Sequence, residues 1–79
     1  MNIKASELQK GELAQIVEVQ NSDLQIKLLE MGCTKGVLIR LTDISPLGCP
    51  LAFEMNGYKL GLRKKEAELL TVFKMSNEE

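Results

Sequence analysis

Short segments in which apolar and polar residues alternate recur along this chain and predict β-strands. Five such segments are present, at residues 13–20, 37–42, 51–55, 58–62 and 69–73. In the first segment the apolar positions change face after Ile16, which predicts a bulge that bends the strand. Between the third and fourth segments, Asn56-Gly57 favours a two-residue type I′ turn.

A helical spacing replaces the alternation at residues 23–31, after the first strand. Leu24, Leu28 and Met31 repeat at helical intervals and form one apolar stripe. A charged run before the last strand predicts a second helix of one turn. Turns that suit glycine or asparagine are predicted at Gly11, Gly32, Gly36, Asn56 and Gly57.

This order of elements indicates a mainly β fold, a small five-stranded SH3-like barrel that is partly open. One short α-helix follows the first strand, and the one-turn helix precedes the last strand. We expect a single domain over residues 1–79, with a polar tail at 75–79. A domain of this size buries only about 60% of its unfolded surface, which leaves no interior for a large active-site cavity.

Charge and aromatic content argue against nucleic acid as a partner. The chain has 10 basic and 11 acidic residues, a formal charge of −1, and 4% aromatic residues without tryptophan. Nucleic-acid readers need clustered cations, and single-strand readers also need stacking aromatics. The one basic cluster, Arg63-Lys64-Lys65, is expected to be a solvated turn neutralised by Glu66 and Glu68.

Candidate chemistry is sparse. The chain has no histidine, and its two cysteines, Cys33 and Cys49, stand 16 residues apart without the paired spacing of zinc ligands. A cysteine nucleophile would need an activating base or cation, and Cys33 follows a helix C-terminus that disfavours the thiolate. We therefore predict no catalytic residue, no metal ligand and no cofactor. No apolar run is long enough to span a bilayer, so a cytoplasmic location without membrane insertion is expected.

Four motifs, in this order and spacing, resemble the bacterial ferrous-iron transport protein A (FeoA) family. They are Leu8-Gln9-Lys10-Gly11-Glu12, Leu28-Leu29-Glu30-Met31-Gly32, Pro46-Leu47-Gly48-Cys49-Pro50-Leu51 and Leu62-Arg63-Lys64-Lys65-Glu66-Ala67. Two residues depart from the family pattern. The family usually has Arg where this chain has Lys27, and Gly or Asp where it has Cys49.

The resemblance implies a small SH3-like barrel that assists ferrous iron uptake without carrying iron itself. Its implied partner is ferrous-iron transport protein B, a membrane permease with a cytosolic GTP-binding domain, which would recruit the chain to the inner face of the membrane. The alternative is a stand-alone SH3-like regulatory module, related to the C-terminal domains of iron-dependent repressors. An enzyme is the least favoured function.

A docking protein needs an apolar patch on its surface. We predict that Ile26 and Leu29, which lie off the main stripe of the helix, form this patch together with the 47–50 loop segment. The predicted partner-binding residues are Ile26, Leu29, Leu47, Gly48, Cys49 and Pro50. Two alternatives stay open: the same side chains complete a thin core, or they mediate self-association as a homo-oligomer.

Overall fold

The computed structural model of the protein describes residues 1–75 and has an antiparallel sheet as its main element. Its six strands are β1 (Asn2–Lys4), β2 (Leu13–Val19), β3 (Leu38–Ile44), β4 (Leu51–Met55), β5 (Tyr58–Leu62) and β6 (Leu70–Lys74). Helix α1 (Ser22–Leu29) follows β2, helix α2 (Lys64–Ala67) precedes β6, and a 3₁₀ turn covers Ala5–Glu7. From residue 76 onward, the predicted polar tail lies outside the described residues.

The strand order is β1-β6-β2-β3-β4-β5, and the sheet is not closed. The five predicted strands are all present, and β1 is an addition to them. It pairs with β6, with Asn2 opposite Phe73 and Lys4 opposite Thr71. The sequence did not predict β1, because it is only three residues long and Ile3 is its one apolar residue. A strand this short has no alternation of apolar and polar positions to recognise.

Two local predictions are confirmed by the backbone. The pairing of β2 with β6 shifts register between Ile16 and Glu18, which is the predicted bulge. Asn56 and Gly57 both have positive φ, 51° and 81°, as a type I′ turn requires. These two features fix the bend of β2 and the register of the β4–β5 hairpin.

Helix α1 begins where the side chain of Asn21 accepts a hydrogen bond from the Leu24 N–H at 2.9 Å. It ends two residues before the predicted end. Met31 donates to the Leu28 carbonyl and Gly32 to the Leu29 carbonyl, so the last turn tightens to an i to i+3 pattern. Gly32 then takes φ +76°, as predicted for the residue that stops the helix.

One apolar core lies between the curved sheet and α1. Its largest fully enclosed side chain is Phe53, and Leu28 from α1 packs into the same cluster. No buried polar side chain is found within residues 1–75. No helix in the described part of the chain is long and apolar enough to cross a membrane.

Candidate docking surface

Helix α1 presents apolar side chains to both the core and the solvent. Leu24 and Leu28 are buried, whereas Ile26 and Leu29 remain 57% and 59% exposed. The prediction that this helix is apolar on two sides is therefore confirmed. Because Ile26 and Leu29 are exposed, the alternative that they complete the core of the monomer does not hold for them.

Ile26 and Leu29 form one wall of a groove of about 400 Å³, which we call the α1 groove. The end of β2 forms the opposite wall, and the turn after α1 closes one end. The groove is lined by Val17, Glu18, Val19, Gln25, Ile26, Leu29, Cys33, Thr34 and Lys35. Four aliphatic side chains thus face one another across a cleft with one carboxylate and one ammonium group at its rim.

The β2 wall of the groove has an open backbone edge at Val19. Alternate residues of an antiparallel strand direct their N–H and C=O groups to opposite sides. Gln20 donates to the Leu69 carbonyl at 2.8 Å on the β6 side, so Val19 directs its backbone groups away from β6. The bonds between β2 and the segment leading into β3 end at Ile16. Within residues 1–75, no strand therefore covers that side of Val19.

Cys33 contributes to the groove from its buried end. Its side chain is 2% exposed, and burial raises the pKa of the thiol. The Sγ atom lies 3.6 Å from the Met31 carbonyl, a distance suited to a weak S–H hydrogen bond. A thiol in these surroundings stays protonated at neutral pH and acts as a small apolar side chain.

The remaining predicted site residues lie on the loop of residues 45–50, called the 45–50 loop. Gly48 donates to the Ser45 carbonyl at 2.7 Å, which closes a tight turn with Leu47 at its tip. Leu47 is 93% exposed, more than any other large apolar side chain among residues 1–75. Cys49 is exposed, and its Sγ accepts a hydrogen bond from the Lys64 N–H at 3.4 Å.

The structure places the two halves of the predicted patch on different sides of α1. Lys27 of α1 reaches Glu66 of α2 at 3.4 Å, and the 45–50 loop contacts the start of the same helix through Cys49. Leu29 lies about 200° around α1 from Lys27, since each residue advances by about 100°. Ile26 and Leu29 are therefore brought together, whereas Leu47, Gly48, Cys49 and Pro50 lie beside α2. Helical periodicity was sufficient to predict that Ile26 and Leu29 lie together. No pattern in the sequence specifies which element the 45–50 loop packs against.

The charges around α2 agree with the sequence-based expectation in part, since Glu66 also pairs with a residue outside the basic cluster. Glu66 accepts a hydrogen bond from the Arg63 N–H at 2.9 Å, and this bond is the main cause that lowers the pKa of its carboxyl group. Its other oxygen faces Lys27. Glu66 is therefore shared between its own helix start, Lys27 of α1 and the basic cluster, because the charges of Lys27 and Arg63 both help to lower the pKa of its carboxyl group. Arg63, Lys64, Lys65 and Glu68 surround a shallow depression together with Cys49.

Residues 1–75 contain no group of three or more His, Cys, Asp or Glu side chains placed to hold one metal ion. Exposed Cys49 and buried Cys33 are both free thiols.

Comparison with known proteins gives one family for the chain. The family model described as the FeoA domain matches residues 3–73. A curated relative from Porphyromonas gingivalis, an Fe(2+) transport protein A/Fe(2+) transporter FeoB fusion protein, is 31% identical over 71 residues. The match covers 89% of this chain but only 8% of that relative's length.

Solved structures agree with the family match. The solution structure of FeoA from Chlorobium tepidum is 31% identical, with a TM-score of 0.89 over 98% of this chain and 74% of the other. FeoA from Stenotrophomonas maltophilia, a procaryotic SH3 domain protein solved with zinc, is 29% identical, with a TM-score of 0.76 over 89% and 88%. These likenesses confirm the predicted SH3-like class.

A further solved structure shares the fold alone. The IdeR structure from T. acidophilum has a TM-score of 0.80 at 14% identity, over 94% of this chain and 34% of that one. At this identity the likeness concerns the path of the backbone and not the function.

Proposed function

This chain belongs to the FeoA domain family, and we propose that it is an accessory protein of ferrous iron transport that docks onto a membrane permease with a GTP-binding domain. The observation that carries the proposal is the relative in which a transport protein A part and a FeoB transporter part form one polypeptide. In that relative, the transport protein A part and the transporter part are held close together by the polypeptide itself. Docking of such a domain onto the transporter requires a contact surface on the domain.

The α1 groove is the surface that best supports this docking. Ile26 and Leu29 offer exposed aliphatic area, and full burial of one such side chain contributes about 1.5–3 kcal/mol. The open backbone groups of Val19 favour an extended segment of the partner, which would gain main-chain hydrogen bonds along with apolar contacts. Glu18 and Lys35 at the rim would then set its orientation.

The proposed role is binding and not catalysis. The groove holds one thiol, that of Cys33, and burial raises the pKa of this thiol. Nucleophilic catalysis at neutral pH needs the opposite shift. The predicted contact of Leu47, Gly48, Cys49 and Pro50 with the assembly is retained as a second, separate contact, since these residues lie beside α2.

Binding of the purified chain to the detergent-solubilised permease tests the proposal, with and without a non-hydrolysable GTP analogue. Leu29→Glu places a charge in the apolar wall, and we expect it to weaken binding by at least about tenfold, because desolvating the charge costs more than about 1.4 kcal/mol. Ile26→Glu should act in the same way. The matched control is Leu38→Glu, since Leu38 is a leucine on β3 with 47% exposure outside the groove.

Binding by Leu29→Glu as tight as that of the native chain would remove the groove from the proposal. Absence of binding by the native chain itself would reject the docking function. A sedimentation coefficient that rises with concentration, and that Leu29→Glu holds at the monomer value, would assign the groove to a second copy of this chain.

A further inference from the structure

The 45–50 loop combines an apolar tip with a basic base. Leu47 extends into solvent with 93% exposure, at the tip of the turn closed between Ser45 and Gly48. Two residues later, Cys49 anchors the loop to the backbone of Lys64. This anchor holds the exposed leucine next to the start of α2, where the basic cluster stands.

The basic cluster carries more positive charge than its neighbouring acids offset. Arg63, Lys64 and Lys65 are all exposed, and within residues 1–75 none of them forms an ion pair. The depression that they line contains one acid, Glu68, and the nearby Glu66 carboxylate divides its charge between Arg63 and Lys27. This corner is therefore cationic, although the chain as a whole has a formal charge of −1.

We propose that this corner is a contact site for an anionic lipid surface, with Leu47 entering the interface and the three cations facing the headgroups. An exposed aliphatic side chain beside clustered Lys and Arg is the pattern of peripheral membrane contacts. Charge complementarity selects anionic lipid, since a neutral bilayer would leave the three cations without a counterpart. We define Leu47, Arg63, Lys64 and Lys65 as the lipid corner.

The lipid corner lies at the start of α2, whereas the α1 groove lies between α1 and the end of β2, so the two surfaces share no residue. A chain docked through its groove on a membrane permease would rest its other side on the surrounding bilayer. The proposal does not depend on permease docking, because lipid binding is a property of the isolated chain. If the chain is also docked on the permease, even a weak lipid contact strengthens its overall binding, because each contact raises the effective concentration for the other.

The magnitudes make the proposal measurable. Each cation near an anionic surface strengthens partitioning by about fivefold, so three of them contribute on the order of 100-fold. Insertion of the Leu47 side chain adds about tenfold. The electrostatic part weakens with salt because the Debye length shrinks from about 10 Å at 0.1 M to about 3 Å at 1 M.

Cosedimentation with vesicles is the test, using the full chain and no permease. We expect binding to vesicles of phosphatidylglycerol and phosphatidylcholine, much less binding to pure phosphatidylcholine, and loss of binding at about 1 M salt. The triple variant R63Q/K64Q/K65Q should lose binding on the order of 100-fold, and Leu47→Ser about tenfold. Leu47→Ser changes a side chain with no packing to lose, so its effect is free of folding defects.

The matched control is K4Q/K10Q/K59Q, which removes the same total charge from exposed lysines outside both the lipid corner and the α1 groove. It should bind anionic vesicles as the native chain does. Equal loss in both triple variants would overturn the proposal, because net charge and not the lipid corner would then decide. No binding of the native chain to anionic vesicles, with loss of permease binding in R63Q/K64Q/K65Q, would assign the corner to an acidic protein surface instead.

Discussion

At the scale of single residues, Gly32 joins two elements that are distant in the sequence. It stops α1 with φ +76°, and its carbonyl accepts a hydrogen bond from the Asn56 side chain at 2.7 Å. The end of the helix is thereby tied to the turn between β4 and β5. Since Leu29 stands three residues earlier, this bond also helps to hold one wall of the α1 groove.

Gly32→Ala should destabilise the protein by about 1–2 kcal/mol, measured by urea unfolding. A Cβ at this position strains the left-handed backbone and would lie 3.3 Å from Nδ2 of Asn56. Gly61→Ala is the control, because its nearest non-neighbouring atom would be the Pro50 Cβ at an ordinary 3.9 Å and it has no positive φ. Equal losses in the two variants would contradict the role given to Gly32.

At the scale of elements, helix α1 has one side that packs in the core and another side that lines the α1 groove. Consecutive residues, Leu28 and Leu29, have 0% and 59% exposure. The first packs in the core and the second lines the groove. The helix can therefore be changed on one side without changing the other.

This separation predicts opposite effects for two adjacent truncations. Leu28→Ala should cost about 2–5 kcal/mol of unfolding free energy, because it leaves a cavity in the core. Leu29→Ala should change stability by no more than about 0.5 kcal/mol and should weaken permease binding. Denaturant unfolding of both variants, with the binding assay for Leu29→Ala, measures the difference. A large stability loss in Leu29→Ala would place that residue in the core.

Much of this organisation could be predicted from the sequence, because it follows from short periods. The stripe of Leu24 and Leu28, the bulge after Ile16 and the Asn56-Gly57 turn each depend on a few consecutive residues. The division of the predicted patch into two surfaces could not be predicted. It depends on the Cys49–Lys64 contact between residues 15 apart, and on the Glu66 carboxylate, which reaches Lys27 on another helix.

At the scale of the whole molecule, Glu12 links the start of the barrel to its last strand. Its carboxylate lies 2.7 Å from the Lys74 ammonium group and accepts a hydrogen bond from the Gln9 N–H, also at 2.7 Å. The Lys74 bond is the main cause that lowers the pKa of Glu12 below its ordinary value of 4.5, followed by the Gln9 bond. The folded state thus prefers the ionised form more strongly than the unfolded chain does.

Stability should therefore depend on pH in the acidic range. The contribution of Glu12 is fully present above its ordinary pKa of 4.5 and is lost as the pH falls through the lower folded pKa. Glu12→Gln should reduce the slope of the unfolding free energy against pH below about pH 4.5. Part of the slope should remain, because the pKa of Glu66 is lowered as well. An unchanged slope in Glu12→Gln would contradict this account.

The pairing of β1 with β6 has a mechanical consequence. Asn2 lies opposite Phe73 and Lys4 opposite Thr71, so the outer end of each strand is at the same end of the ladder. Tension applied between residues 1 and 75 therefore loads the Lys74-to-Met1 hydrogen bond first, then the Asn2–Phe73 pair, and peels the bonds away one after another instead of shearing them together. Traction therefore opens the β1–β6 seam first, and the load reaches the β2–β5 meander only afterwards, through the pairing of β6 with β2.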